Sequence, residues 1–74
     1  MRKGVLISTD PNEGNGKIID ENEQGIYCCL KDLGSEIQIG DAVIFNIKMT
    51  SYGLTAVDIS KINIEDWTLL HQNL

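Results

Sequence analysis

Apolar residues in this chain come in short clusters of about three to five, and turn-forming residues separate almost every one. An amphipathic helix needs apolar residues recurring at i, i+3, i+4 and i+7 over a dozen residues or so. A membrane span needs roughly 20 apolar residues in a row. Between Val5 and Ile62 neither pattern occurs, whereas short runs rich in β-branched residues recur between glycine-containing turns. Isoleucine alone accounts for eleven positions. This is the signature of an all-β fold made of short strands.

Five strands can be placed. The first holds Val5, Leu6 and Ile7 and ends at Ser8-Thr9. Asp10-Pro11-Asn12-Glu13-Gly14 follows as a turn, because proline presets φ, Asp and Asn bond their own backbone, and glycine takes positive φ. The second begins near Gly16 and runs through Ile18 and Ile19; Asn22 to Gly25 then turns the chain into Ile26-Tyr27-Cys28-Cys29-Leu30. From Lys31 to Asp41 the chain is polar with apolar breaks at Leu33, Ile37 and Ile39, a long connection with room for one helical turn. Val43, Phe45 and Ile47 alternate with Ile44, Asn46 and Lys48, which puts the first three on the core face of a fourth strand. After the turn Thr50 to Gly53, Leu54 to Ile62 forms the fifth. The last dozen residues differ. Asn63 is a good N-cap, Glu65 and Asp66 suit the positive end of a helix dipole, and Ile64, Trp67 and Leu70 recur at helical spacing. The expected organisation is a domain over 1–62 and a short C-terminal helix over 63–74, which needs a surface to dock on.

Charge and cysteine usage narrow the chemistry. The 74 residues carry a net charge of −5. The two cysteines, Cys28 and Cys29, are adjacent, so in a strand they face opposite sides and do not suit a disulfide. Reduced thiols in a cytoplasmic protein are expected, with no secretory signal. One histidine, His71, and no CxxC exclude a usual zinc site. Neither a catalytic triad nor a phosphate-cradling loop is present, and no cofactor, metal or catalytic residue is expected; Asp20, Glu21 and Glu23 read as a solvated hairpin turn. The basic residues Arg2, Lys3, Lys17, Lys31, Lys48 and Lys61 are scattered, although Arg2 and Lys3 could join Lys17 in a small patch.

Five short strands with a long connection after the third are what a small antiparallel OB-type barrel would show. Residues 4 to 62 resemble the bacterial cold-shock domain. The likeness runs without a gap from Gly4 to Ile18, where Gly14, Gly16 and Ile18 fall in the pattern of the family's first RNA-binding motif. Ile26-Tyr27-Cys28-Cys29-Leu30 matches the second motif, with Leu33 at the expected distance, while Gly40 to Ile47 and Gly53 to Ile62 resemble the fourth and fifth strands. The resemblance implies single-strand binding by stacking of bases on exposed rings. The ring positions are mostly altered here. Ser8 stands where the family has tryptophan, Asn15 and Lys17 where it has phenylalanines, Cys29 at a histidine position and Leu30 at a phenylalanine position. Ile7 and Glu13 replace two family lysines, and Tyr27 keeps the one remaining ring of that platform.

Two functions follow as expectations. In the first, the module binds single-stranded RNA or DNA weakly through Ser8, Asn15, Lys17, Tyr27, Cys29 and Leu30, with Tyr27 stacking and Lys17 meeting phosphate. In the alternative, the same face has become a protein-interaction surface in which Ile7, Cys29, Leu30 and Ile44 supply apolar contact and Trp67 an anchor. Either way the chain is expected to be non-enzymatic, away from membranes, and a monomer or weak homodimer through an edge strand or the Trp67 tail.

Overall fold

Each expected apolar cluster forms a strand in the computed structural model, which describes residues 1–62; the expected helix over 63–74 and Trp67 lie outside the described residues. The strands are β1 (Arg2–Asp10), β2 (Asn15–Asp20), β3 (Gly25–Cys29), β4 (Ala42–Thr50) and β5 (Gly53–Lys61). One 3-10 turn, Leu30–Asp32, opens the long connection after β3. The five strands close into a barrel in the order β1-β2-β3-β5-β4.

The expected all-antiparallel sheet needs a correction. β3 and β5 pair in parallel, through Tyr27 and Thr55, while every other neighbouring pair is antiparallel. The reason is arithmetic: strands that alternate direction around a closed ring must be even in number, so five strands force one parallel seam.

The interior is filled from alternate positions, as a pleated strand requires. Leu6, Ile18, Ile26, Cys28, Val43, Phe45 and Ala56 point inward, and Ile37 enters from the long connection. Ile47, Ile59 and Leu33 pack against them. Two bulges keep this pattern closed. Between Leu6 and Ser8 the β1–β2 register slips by one residue, so Leu6 opposes Ile18 inside while Ser8 opposes Lys17 outside. A one-residue insertion sends the following side chains to the other face, and here it releases Ser8 outward. The edge vacated by β4 at this point is bonded by the loop: Leu6 N–H donates to the Asp41 carbonyl at 3.1 Å and Gly40 N–H to the Leu6 carbonyl at 2.8 Å. In β5, Asp58 holds φ at 54° opposite the β4 slip between Ile44 and Asn46, which returns Ile59 to the core side.

Loops are held by short side chains acting on their own backbone. Asp10 Oδ1 accepts from Asn12 N–H at 3.1 Å and Glu13 N–H at 3.3 Å. Buried Asp20 organises the β2–β3 turn: its Oδ1 accepts from Asn22 and Gln24 N–H, both at 2.9 Å, and Oδ2 meets Arg2 Nη1 at 3.4 Å. Just before β4, Asp41 lies 3.4 Å from Lys61, and the Gln38 N–H and that ammonium hold its carboxyl below the ordinary range.

Gly4 sits where β1 is flanked by both β2 and β4, opposite Asp20 and Val43. A Cβ there would stand 2.5 Å from the Ile19 carbonyl oxygen and 2.7 Å from Ile18 Cγ2. Backbone on one side leaves nothing free to give way. Gly4→Ala is therefore expected to destabilise the barrel by about 1–3 kcal/mol, the usual cost of overpacking. Urea denaturation measures it; a variant as stable as the parent would show that β1 and β2 are not held this closely.

Candidate nucleic-acid interface

The strand registers place one row across the sheet: Ser8 opposes Lys17, Lys17 opposes Tyr27, Tyr27 opposes Thr55, and Thr55, itself buried, opposes Lys48. At about 4.8 Å per strand the row follows roughly 19 Å of the barrel's curved surface. Its first half lines an open groove of about 450 Å3, to which Ser8, Thr9, Asp10, Asn15, Lys17 and Tyr27 contribute. That volume lies in the roughly 300–1,000 Å3 range of small-ligand sites.

Of the six expected residues, Ser8, Asn15, Lys17 and Tyr27 meet in this groove. Cys29 lies two residues along β3 from Tyr27, on the same side of the strand, but it does not line the groove. Leu30 is half-buried in the 3-10 turn, where its N–H donates to the Gly14 carbonyl at 3.0 Å, and it does not reach the groove. Arg2 and Lys3 do not join Lys17. They lie at the other end of β1, opposite the β2–β3 turn, and pair with Asp20 at 3.4 Å and Glu21 at 3.3 Å. Lys61 pairs with Asp41. The other three bases, Lys17, Lys31 and Lys48, have no ion pair among the described residues, and two of them flank Tyr27 in the row.

The lysine in the groove has room because of a glycine. A Cβ at Gly25 would collide with Cε of Lys17, so the bare backbone lets the lysine stem lie across β3.

Sequence reasoning missed one ring. Tyr52, in the β4–β5 turn, stacks on Tyr27 with centroids 4.7 Å apart and planes 13° from parallel. The signal was an aromatic residue in a turn otherwise made of small residues; only the parallel seam carries that turn onto β3. The turn is built for it. Tyr52 N–H donates to Thr50 Oγ1 at 3.1 Å, the Thr50 and Thr55 hydroxyls share a 2.7 Å hydrogen bond, and Gly53 takes φ at 93°.

The thiols differ as two faces of one strand. Cys28 is in the core, and burial pushes its thiol up to about 11, so it is inert near neutrality. Cys29 faces outward and is half-buried. Among the described residues no group of acidic, cysteine and histidine side chains could hold a metal, and no helix is long and apolar enough to cross a membrane. No protein-family model and no curated protein matches the chain.

The surface expected for protein contact is only partly formed. Cys29, Leu30 and Ile44 are half-buried, and only Ile7 is exposed.

Partial burial raises the Tyr27 phenol above its ordinary value, the Cys29 hydrogen bond adds to the rise, and a hydrogen bond from Asn15 opposes it. A raised folded value means that the stability tied to this group is complete below the unfolded value near 10 and is lost as pH rises through the folded one. In a Tyr52→Phe background, alkaline titration by tyrosine-ring NMR is expected to place Tyr27 above about 10. Cys29→Ala should lower that midpoint and Asn15→Ala raise it further; an unmoved midpoint in both would contradict the arrangement.

Proposed function

We propose that this chain is a small, non-enzymatic module that binds single-stranded RNA or DNA weakly along the Ser8–Lys48 row. The observation that carries the reading is the segregation of charge. Arg2, Lys3 and Lys61 are neutralised away from the row, whereas Lys17 and Lys48 flank a stacked tyrosine pair without partners among the described residues. Rings for bases and cations for phosphates, side by side, are what sequence-tolerant single-strand binding uses. Ser8 and Asn15 add hydrogen-bonding groups in the groove for base edges or sugar.

The fold reading goes with this. Five strands in the ring order β1-β2-β3-β5-β4, with the long connection after β3, suit an OB-type barrel, and the residues of 4–62 resemble a diverged cold-shock domain. Two rings replace a broader platform, and one stacked base contributes about 1–3 kcal/mol, so affinity is expected to be low. A net charge of −5 lowers it further at low ionic strength. A reducing, cytoplasmic setting for the two thiols is part of the reading.

One observation favours protein binding instead. Met49 and Leu54 oppose each other across β4–β5 and are 68% and 45% exposed, an apolar pair beyond the end of the core. Salt separates the two readings, since apolar docking does not weaken as salt rises.

Fluorescence anisotropy with a labelled oligothymidylate, from low to physiological salt, tests the proposal. Affinity should fall with salt, and Lys17→Ala or Lys48→Ala should each flatten the log–log slope by about 0.7. Lys61→Ala, whose ammonium already faces Asp41, should leave the slope unchanged. Equal slopes in all four proteins would remove Lys17 and Lys48 from the interface; no binding at low salt would remove the function.

A further inference from the structure

The sequence points to Tyr27 as the ring that receives a base, but the geometry gives that position to another residue. Tyr27 is half-buried in β3, and Tyr52 lies parallel upon it at 4.7 Å, so one face of Tyr27 is already occupied. Tyr52 is 69% exposed. With one face of Tyr52 against Tyr27, that exposure is concentrated on its other face and edge. We propose that the open face of Tyr52 is the stacking surface for a nucleobase of the bound strand, and that Tyr27 is the positioning residue beneath it.

Three features beyond exposure support this assignment. An exposed tyrosine ordinarily loses side-chain freedom when it binds, and that loss opposes affinity. Here the loss has been met in advance. The Thr50 hydroxyl accepts Tyr52 N–H, Thr55 braces Thr50, and Tyr27 fixes the ring plane. Thr55 itself is 3% exposed and stands in register with both Tyr27 and Lys48, so the brace belongs to the same row as the cation. Lys48 is exposed on β4, whose chain leads directly into the Tyr52 turn, and it has no ion pair among the described residues. A base on Tyr52 would therefore have a phosphate partner on the strand that carries the ring. The next nucleotide would run towards Lys17 and the groove.

The inference rests on single-strand binding by this face and gives it a specific ring. The opposite arrangement, in which Tyr52 is a cover that must leave before a base can reach Tyr27, predicts the opposite sign. Removing the cover would then tighten binding. Tyr52→Ala and Tyr52→Leu, in a turn exposed to solvent, are measured with labelled oligothymidylate and oligouridylate by anisotropy at low salt, with urea denaturation to confirm folding. Both should weaken binding by about 5- to 150-fold, the loss of one stacked base. Tyr52→Trp should bind at least as tightly as the parent, and Thr50→Val, which keeps the ring but removes its brace, should weaken binding by less than Tyr52→Leu. Tyr27→Leu, which keeps an apolar support, should also cost less than Tyr52→Leu.

Unchanged or tighter binding by Tyr52→Ala would overturn the assignment while leaving the function standing, and so would a larger loss from Tyr27→Leu than from Tyr52→Leu. A parent protein that binds neither oligonucleotide at low salt would overturn both.

Discussion

A ring of five strands cannot alternate direction all the way round, and the consequences of that constraint reach the candidate site. Somewhere two neighbours must run the same way. In this barrel they are β3 and β5, joined through the single pair Tyr27 and Thr55. Parallel pairing is slightly less stable per residue than antiparallel, and one pair contributes little by itself. Closure at this seam therefore depends on the core behind it, where Cys28 from β3, Ala56 from β5 and Phe45 from β4 are all fully buried. The same seam brings the start of β5 alongside β3. That is why a tyrosine in the β4–β5 turn can lie on a tyrosine 25 positions earlier in the chain.

Charge is distributed around the ring with the same economy. Acidic side chains at the β2–β3 turn and the start of β4 engage Arg2, Lys3 and Lys61. The Asp20 carboxylate is buried, whereas surface pairs such as Lys3 with Glu21 contribute only about 0–1 kcal/mol. Two of the remaining lysines lie in the tyrosine row. Total charge therefore says little about which face meets a polyanion.

Much of this was legible in the sequence, and the failures have physical causes. The five strands and their turns follow from apolar clusters and from Asp, Asn, Pro and Gly between them. Ser8, Asn15, Lys17 and Tyr27 were grouped by the likeness to the cold-shock motifs, and the registers of β1, β2 and β3 bring them into one groove. The parallel seam was implicit in the strand count once the barrel closes. Leu30 was included through the likeness to the cold-shock motif, and the chain leaves β3 for the 3-10 turn at that residue, so it stands outside the groove. Arg2 and Lys3 were drawn to the wrong end of β1, since closeness in sequence ignores that antiparallel register puts them opposite Asp20 rather than Lys17. Tyr52 stood out as an aromatic residue in a turn, but its partner did not: a turn residue's neighbours are set by tertiary closure, and no local pattern encodes them.

The central claim is that the row from Ser8 to Lys48, which follows the curve of the ring with Tyr52 upon it, receives a single strand. An NMR amide titration with a short pyrimidine-rich oligonucleotide, first at low and then at physiological salt, examines that row directly. Shifts should gather on Ser8, Asn15, Lys17, Tyr27, Lys48 and Tyr52 and shrink as salt rises, while Arg2, Lys3 and Lys61 stay still. An unperturbed spectrum at low salt, or shifts centred on the β2–β3 turn at the other end of β1, would contradict it.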